Sequence, residues 1–203
     1  MGDAMTDISA QRRHALAARR ALSIATHRQA SELACSRLAR LSVFRRARHI
    51  GFYWPLASET DPRPLLAALR RVQRAYLPRV NDQRLDFMAI ADDDFRARLS
   101  SLGVYEPCGT RARRVEALDL LILPLAAFDD HAHRIGLGGG YYDRTLAAYA
   151  TGTGFRRPRL VGLAFEAQRV DRIDSRPWDI ALDAVVSNAR VYPRRKAGPI
   201  ECD

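Results

Sequence analysis

The run Leu120-Leu-Ile-Leu-Pro-Leu-Ala-Ala-Phe128 constrains the fold more than any other stretch of the chain. It is the longest uncharged apolar segment, and it is too short to span a bilayer. Consecutive aliphatic residues with no polar alternation need cover on both faces, which is the habit of a central strand in a parallel sheet. A polar turn, Asp129-Asp-His-Ala-His133, follows it, and then Arg134-Ile-Gly-Leu-Gly-Gly-Gly-Tyr-Tyr-Asp143. Four glycines between positions 136 and 140 let the backbone take φ > 0 and approach a ligand closely. A glycine loop entering a helix N-terminus aims several amides at one point, which suits phosphate. The same residues serve equally as a plain turn before a helix, and the glycines alone leave both readings open. Arg134 and Asp143 add a group for phosphate and a group for a divalent cation.

Around this stretch the pattern alternates strand and helix. Helices are expected over 11–22 and onward to about Leu41, with Leu33, Leu38 and Leu41 at helical spacing. A buried strand covers 49–54. A helix starts at Asp61, with Asp61 as N-cap and Pro62 at its first position, and runs to about Arg74. Short strands are expected at 74–79 and 85–90, a helical pattern over 92–102, extended chain at 104–107, strands at 118–123 and 160–165, a helix over 138–150, and a strand at 184–187. From Pro193 the chain reads as a frayed tail. The expected fold is α/β: a single domain over 1–203, a mostly parallel central sheet flanked by helices in a Rossmann-like three-layer arrangement, with tails at 1–9 and 193–203. Trp54 and Glu59 fall at the C-terminal end of a strand and in the loop after it, the edge where open α/β sheets bind ligands. Core packing for Trp54 and a solvated loop for Glu59 are the plainer readings.

Several chemistries are excluded. Of the 33 basic residues only Lys196 is a lysine, and it sits in the expected tail, so lysine Schiff-base chemistry has no candidate. The glycine loop lacks the lysine of a P-loop and the spacing of a dinucleotide fingerprint. Cys35, Cys108 and Cys202 form neither a metal pattern nor a disulfide framework and read as free thiols. The N-terminus has no signal-peptide pattern, which makes the cytoplasm the expected compartment. The net charge of +10 is spread in arginine pairs, which suits a solvated surface or an anionic small molecule. Neither a nucleic-acid nor a membrane-binding motif is present, and a monomer is expected. His131 and His133 lack a third ligand at metal spacing and read as turn residues. Asp129, Asp130, Asp143, Asp179 and Asp183 are the better carboxylate set, suited to magnesium beside phosphate.

Leu123-Pro-Leu-Ala-Ala-Phe-Asp129, Arg134 to Arg144, Gly162-Leu-Ala-Phe-Glu-Ala-Gln168 and Trp178-Asp-Ile-Ala-Leu-Asp183 occur in an order that resembles the 5-formyltetrahydrofolate cyclo-ligase family. Glu59 in Ser-Glu-Thr-Asp, Leu77-Pro and Tyr105-Glu-Pro107 fit the same pattern, and the resemblance covers roughly residues 10–190. It implies an enzyme that uses ATP and Mg²⁺ to convert 5-formyltetrahydrofolate to 5,10-methenyltetrahydrofolate, ADP and phosphate. A relative with the same ATP loop and another anionic substrate is the alternative. By position, the resemblance assigns Arg12, Arg134, Ile135, Gly136, Leu137, Gly138, Gly139, Gly140, Tyr141 and Tyr142 to ATP. It assigns Trp54, Glu59 and the loop Leu137, Gly138, Gly139, Gly140 and Tyr141 to the folate, and Asp143 and Asp179 to the metal. The family often carries a lysine four residues before Arg12, where this chain has Ile8. No protein nucleophile is expected, because the substrate supplies both.

Overall fold

The computed structural model describes residues 7–90, 97–100, 103–108, 112–150, 157–174 and 179–194. Its first helix, α1 (Ile8–Arg20), is capped by Asp7, whose carboxylate accepts from the Ser9 amide. Helix α2 (Ile24–Arg40) is capped by Ser23, and α3 (Ser42–Arg46) follows at once. Strand β1 (His49–Gly51) leads through a loop to the one-turn α4 (Pro64–Ala67), and then come β2 (Arg74–Asn81) and β3 (Arg84–Ala89). Strands β4 (Ala97–Leu99), β5 (Tyr105–Pro107) and β6 (Ala112–Arg113) precede the central β7 (Leu120–Leu123). A small hairpin of β8 (Ala127–Phe128) and β9 (Arg134–Ile135) carries the glycine loop into α5 (Tyr141–Ala150). Strands β10 (Arg159–Ala164), β11 (Ala184–Ser187) and β12 (Val191–Pro193) complete the chain.

The main sheet has eight strands in the order β12-β11-β10-β7-β1-β2-β3-β6. The five strands from β11 to β2 are parallel, and antiparallel strands finish both edges. Strand β7 lies between β1 and β10, the central place expected from its apolar run. All four of its residues are buried, and they alternate between two cores. Leu121 and Leu123 face a cluster with Phe87, Leu118, Leu146 of α5 and Leu182. Leu120 and Ile122 face another with Ala34, Cys35 and Leu38 of α2. That is the expected three-layer α/β/α arrangement, with apolar cover on each face of a parallel sheet. The chain runs from β1 to β2 on one side and then returns to place β7 on the other side of β1. Such a reversal opens a crevice beyond the C-terminal ends of the two diverging strands.

Several local expectations are corrected. The helix expected from Asp61 to Arg74 shrinks to Pro64–Ala67, with Pro64 at its first position in place of Pro62. Asp61 instead accepts from the Arg63 amide and guanidinium. Buried Gln73 ends the segment: its amide donates to Phe44 and Ala47 carbonyls, both at 2.8 Å, and its oxygen accepts from the Arg70 amide. Residues 97–99, expected to be helical, pair antiparallel with β5 instead, with the Gly103 amide (φ 73°) donating to the Ser100 carbonyl and the Ser100 amide to the Val104 carbonyl; residues 92–96 and 101–102 of that expectation lie outside the described residues. Leu33 is half-exposed, since the buried side of α2 is made by Ala30, Ser31, Ala34, Cys35 and Leu38. Helix α5 starts at Tyr141 and not at Gly138, because Gly138 and Gly140 hold φ of 108° and 66°. Helix α1 already covers Ile8 and Ser9 of the expected N-terminal tail. Pro193 ends β12, an edge strand absent from the sequence reading, where a missing amide is tolerated. Cys35 and Cys108 are free thiols, and Cys202 lies outside the described residues.

The two-sided packing of β7 gives a direct expectation. Leu121 is fully buried, and Leu121→Ala should cost about 2–5 kcal/mol in urea unfolding. A loss below about 1 kcal/mol would mean that β7 is not the packing centre.

Candidate active site

The crevice beyond β1 and β7 is where the glycine loop lies. Two cavities flank this loop. One, of about 220 Å³, is bordered by Arg12, His133, Arg134, Gly138, Asp143 and Asp179, with an apolar side of isoleucines. The other, of about 250 Å³, is mostly apolar and is bordered by Tyr53, Trp54, Glu59, Pro124, Tyr105 and Tyr142 among others. Arg134, Gly136, Gly140 and Asp143 border both, so the loop is a shared wall.

The wall is fixed from three sides. The Arg134 guanidinium, nearly buried, pairs with the half-exposed Asp143 carboxylate across the loop. Arg12 on α1 donates from Nε to the Gly136 carbonyl at 2.9 Å. Arg144 donates from Nη2 to the Gly139 carbonyl at 2.8 Å and from Nε to the Gln83 carbonyl at 2.9 Å, tying the loop to the β2–β3 turn. Gly138 and Gly140 sit in the left-handed region, where a side chain is strained. Their conformation thins the wall where helix α5 begins, and amides at a helix N-terminus suit anions.

The residues expected at ATP divide between the cavities. Arg12, Ile135 and Gly138 border the polar cavity alone, and Arg134, Gly136 and Gly140 border both. Leu137, Gly139, Tyr141 and Tyr142 border the apolar cavity only. Trp54 and Glu59, assigned to the folate by the resemblance, border the apolar cavity, whereas Gly138, assigned to both ligands, does not. Trp54 meets Tyr105 edge-on at 5.6 Å between ring centroids.

Of the five aspartates read as a magnesium set, only Asp143 and Asp179 border the polar cavity. The other three hold the fold. Asp129, fully buried, accepts from the amides of His131, His133 and Ile173 and from the His133 ring. Asp130 pairs with Arg169 and Arg190. Asp183 pairs with Arg157 and Arg159 and accepts from the Leu160 amide. Among the described residues no group of three or more His, Cys, Asp or Glu could hold a metal alone. Two cavity carboxylates fit Mg²⁺, which keeps water and takes phosphate oxygens for the rest of its shell.

Glu59 is 3% exposed. Its Oε2 accepts from the Leu56 amide at 2.9 Å, and its Oε1 has no partner among the described residues. Burial pushes its pKa up from the usual carboxylate range, against the Leu56 hydrogen bond and the positive charge of Arg19. Arg19 was not singled out in the sequence, yet it is 4% exposed and donates to Ser58 Oγ at 3.0 Å. Burial lowers its pKa, and the charge of Glu59 acts the other way. Its signal was the spacing Arg12, Ala15, Arg19, one face of a helix whose Ala15 is buried. Tyr53 and Glu106 were also missed as site residues. Tyr53 donates to the Thr60 carbonyl, and burial raises its pKa. Glu106 is 4% exposed and lies 3.9 Å from Arg98; an acid between Tyr105 and Pro107 in a buried strand was its signal.

Comparison with known proteins decides what this arrangement belongs to. Residues 4–188 match the 5-formyltetrahydrofolate cyclo-ligase family. The chain belongs to this family. It is 31% identical over 180 residues to the 5-formyltetrahydrofolate cyclo-ligase of Escherichia coli, covering 86% of this chain and 96% of that one. The Haemophilus influenzae cyclo-ligase is 29% identical over 143 residues, covering 68% and 74%. Among solved structures, the Aquifex aeolicus 5,10-methenyltetrahydrofolate synthetase superposes with a TM-score of 0.80 at 27% identity, covering 96% of each chain. The Mycoplasma pneumoniae synthetase, at 24% identity and a TM-score of 0.70 over 90% of this chain and 99% of that one, shares the fold. No helix among the described residues is long and apolar enough to cross a membrane.

The aspartates differ sharply in what they support. Asp129→Ala, which strands three backbone amides around a fully buried site, should cost at least about 3 kcal/mol. Asp130→Ala, in an exposed ion pair, should cost less than about 1 kcal/mol. Equal losses in urea unfolding would contradict this division.

Proposed function

We propose that this cyclo-ligase chain closes 5-formyltetrahydrofolate to 5,10-methenyltetrahydrofolate at the glycine loop, consuming ATP and releasing ADP and phosphate. One observation carries the reading beyond family membership: two cavities of unlike chemistry share a wall of glycines. The polar cavity suits a triphosphate, and the apolar one, with a buried carboxylate, suits a pterin ring.

In this reading the formyl oxygen attacks the γ-phosphorus and ADP leaves. N10 then attacks the formyl carbon, the carbon–oxygen bond breaks, and phosphate departs with that oxygen. N10 loses its proton and the ring is closed. Both nucleophiles are the substrate's own, so the protein works by positioning and charge neutralisation. Arg12, Arg134 and the loop amides would hold phosphate oxygens, the arginines through their planar forks. Asp143 and Asp179 would hold Mg²⁺, which when bound neutralises charge on the phosphates. Trp54 and Tyr105 offer aromatic faces to the pterin, and the Glu59 carboxylate would accept from its ring N–H groups.

The reaction is tested by following methenyl absorbance from 5-formyltetrahydrofolate with and without Mg-ATP; absence of ATP-dependent product would sink the proposal. Asp143→Ala should lower kcat about a hundredfold or more and also lower thermal stability, because the nearly buried Arg134 loses its partner; near-normal turnover of the folded variant would remove Asp143 from the reaction. Glu59 gives a pH signature. A raised pKa means that its carboxylate protonates at a higher pH than an ordinary glutamate does. The KM for folate should therefore begin to rise above the ordinary glutamate range as the solution is acidified. Glu59→Gln should show a higher KM that lacks this dependence, and identical profiles in the two proteins would rule out the carboxylate as a pterin acceptor.

A further inference from the structure

Among the described residues, one polar side chain bordering the polar cavity has no part in the proposed reaction. His133, just before β9, borders it and is 32% exposed. Its Nδ1 lies 2.9 Å from Oδ2 of Asp129. Asp129 does not depend on this bond to organise the turn. Its Oδ1 already accepts from the His131 and His133 amides at 2.9 and 3.0 Å, and its Oδ2 from the Ile173 amide at 3.1 Å. The ring contact therefore orients the imidazole more than it holds the backbone, as a buried carboxylate does for a ligating histidine. A carboxylate only accepts, so Nδ1 is the donor, and in the neutral ring the lone pair is left at Nε2.

The position of His133 in the cavity indicates what Nε2 would meet. Ile8, Ile135 and Ile173 belong to one apolar cluster, and all three border the cavity. The Ile173 amide and the His133 ring share Oδ2 of Asp129, and both residues border the cavity. Gly138, Gly140 and Asp143 make up the loop side, where the triphosphate is proposed to lie. With the phosphates at the loop, the nucleoside falls against the isoleucines, and this placement rests on the reading of the cavity as the ATP site. We propose that His133 is a nucleoside-recognition residue whose Nε2 accepts a hydrogen bond from the nucleoside half of ATP, from a ribose hydroxyl or from the exocyclic amine of adenine.

The test compares wild type with His133→Ala, using ATP, 2′-deoxy-ATP, 3′-deoxy-ATP and purine riboside triphosphate, which lacks the amine. His133→Ala should raise the KM for ATP about five- to tenfold, the scale of one neutral hydrogen bond. Its kcat and its KM for 5-formyltetrahydrofolate should stay within about twofold of wild type. In wild type one analogue should bind more weakly than ATP by the same factor, and that penalty should vanish in the variant, identifying the ribose or the amine as the donor. Inhibition by inorganic tripolyphosphate should be unchanged. A variant weakened equally toward tripolyphosphate would place His133 on the phosphates and overturn the proposal. So would a wild type that binds every analogue as it binds ATP, a result that needs no variant to fold. A wild type that binds no ATP at all would overturn the proposed function and this inference together, whereas an unchanged KM in a variant of an ATP-binding enzyme would overturn this inference alone.

Discussion

The ion pair between Arg134 and Asp143 spans a loop that has almost no side chains of its own. A nearly buried guanidinium is costly unless its charge is met, and here the partner comes from the first turn of α5. The pair therefore pins the end of β9 to the start of a helix, with the glycines as a taut connection between them. Left-handed backbone at Gly138 and Gly140 is possible because neither carries a Cβ. A thin wall with charged ends results, and both cavities border it. A bulkier loop would hold the two cavities apart, and a looser one would not define either.

The sheet supplies the place for that wall. The chain reverses direction across the sheet between β1 and β7, and the loops leaving those two strands carry Tyr53, Trp54, Glu59 and Pro124 to one side of the glycine loop. Helix α1 closes the other side, with Arg12 bonded to Gly136 and Arg19 buried near Glu59. Each buried charge has a specific answer: Arg134 has Asp143, Asp129 has three amides and an imidazole, and Glu59 has one amide and the more distant Arg19. Glu59 is the least compensated of these: its Oε1 has no partner among the described residues, and it borders the apolar cavity. Unpaired buried polar atoms are rare enough in native folds to need a cause, and a ligand that donates to a carboxylate is a sufficient one.

The layers and the loop were legible in the sequence because they rest on local signals. Leu120 to Leu123 read as a strand covered on both faces, and the glycines read as a turn before α5. The corrections arise where distant residues decide. The helix after Asp61 ends at Ala67, and Gln73 beyond it bonds instead to Phe44 and Ala47, partners 29 and 26 positions away that no local pattern reveals. The segment 97–99 joins a hairpin because β5 offers it an edge, overriding its helical spacing. Site residues divide the same way. Arg134 and Asp143 stood in a recognisable block, whereas Arg19, Tyr53 and Glu106 matter through the burial that the fold imposes on them. Asp129 looked like a metal carboxylate, and its adjacency to a turn was the clue that it organises backbone amides instead.

Transfer of a phosphoryl group across the glycine wall, as proposed, would leave an isotopic trace. If 5-formyltetrahydrofolate labelled with ¹⁸O in the formyl group is turned over with unlabelled Mg-ATP, the formyl oxygen should become part of the released phosphate. Mass analysis of that phosphate should find one ¹⁸O per product formed. Phosphate free of the label, with methenyl product still made, would contradict direct phosphorylation of the formyl oxygen and with it the role assigned to the shared wall.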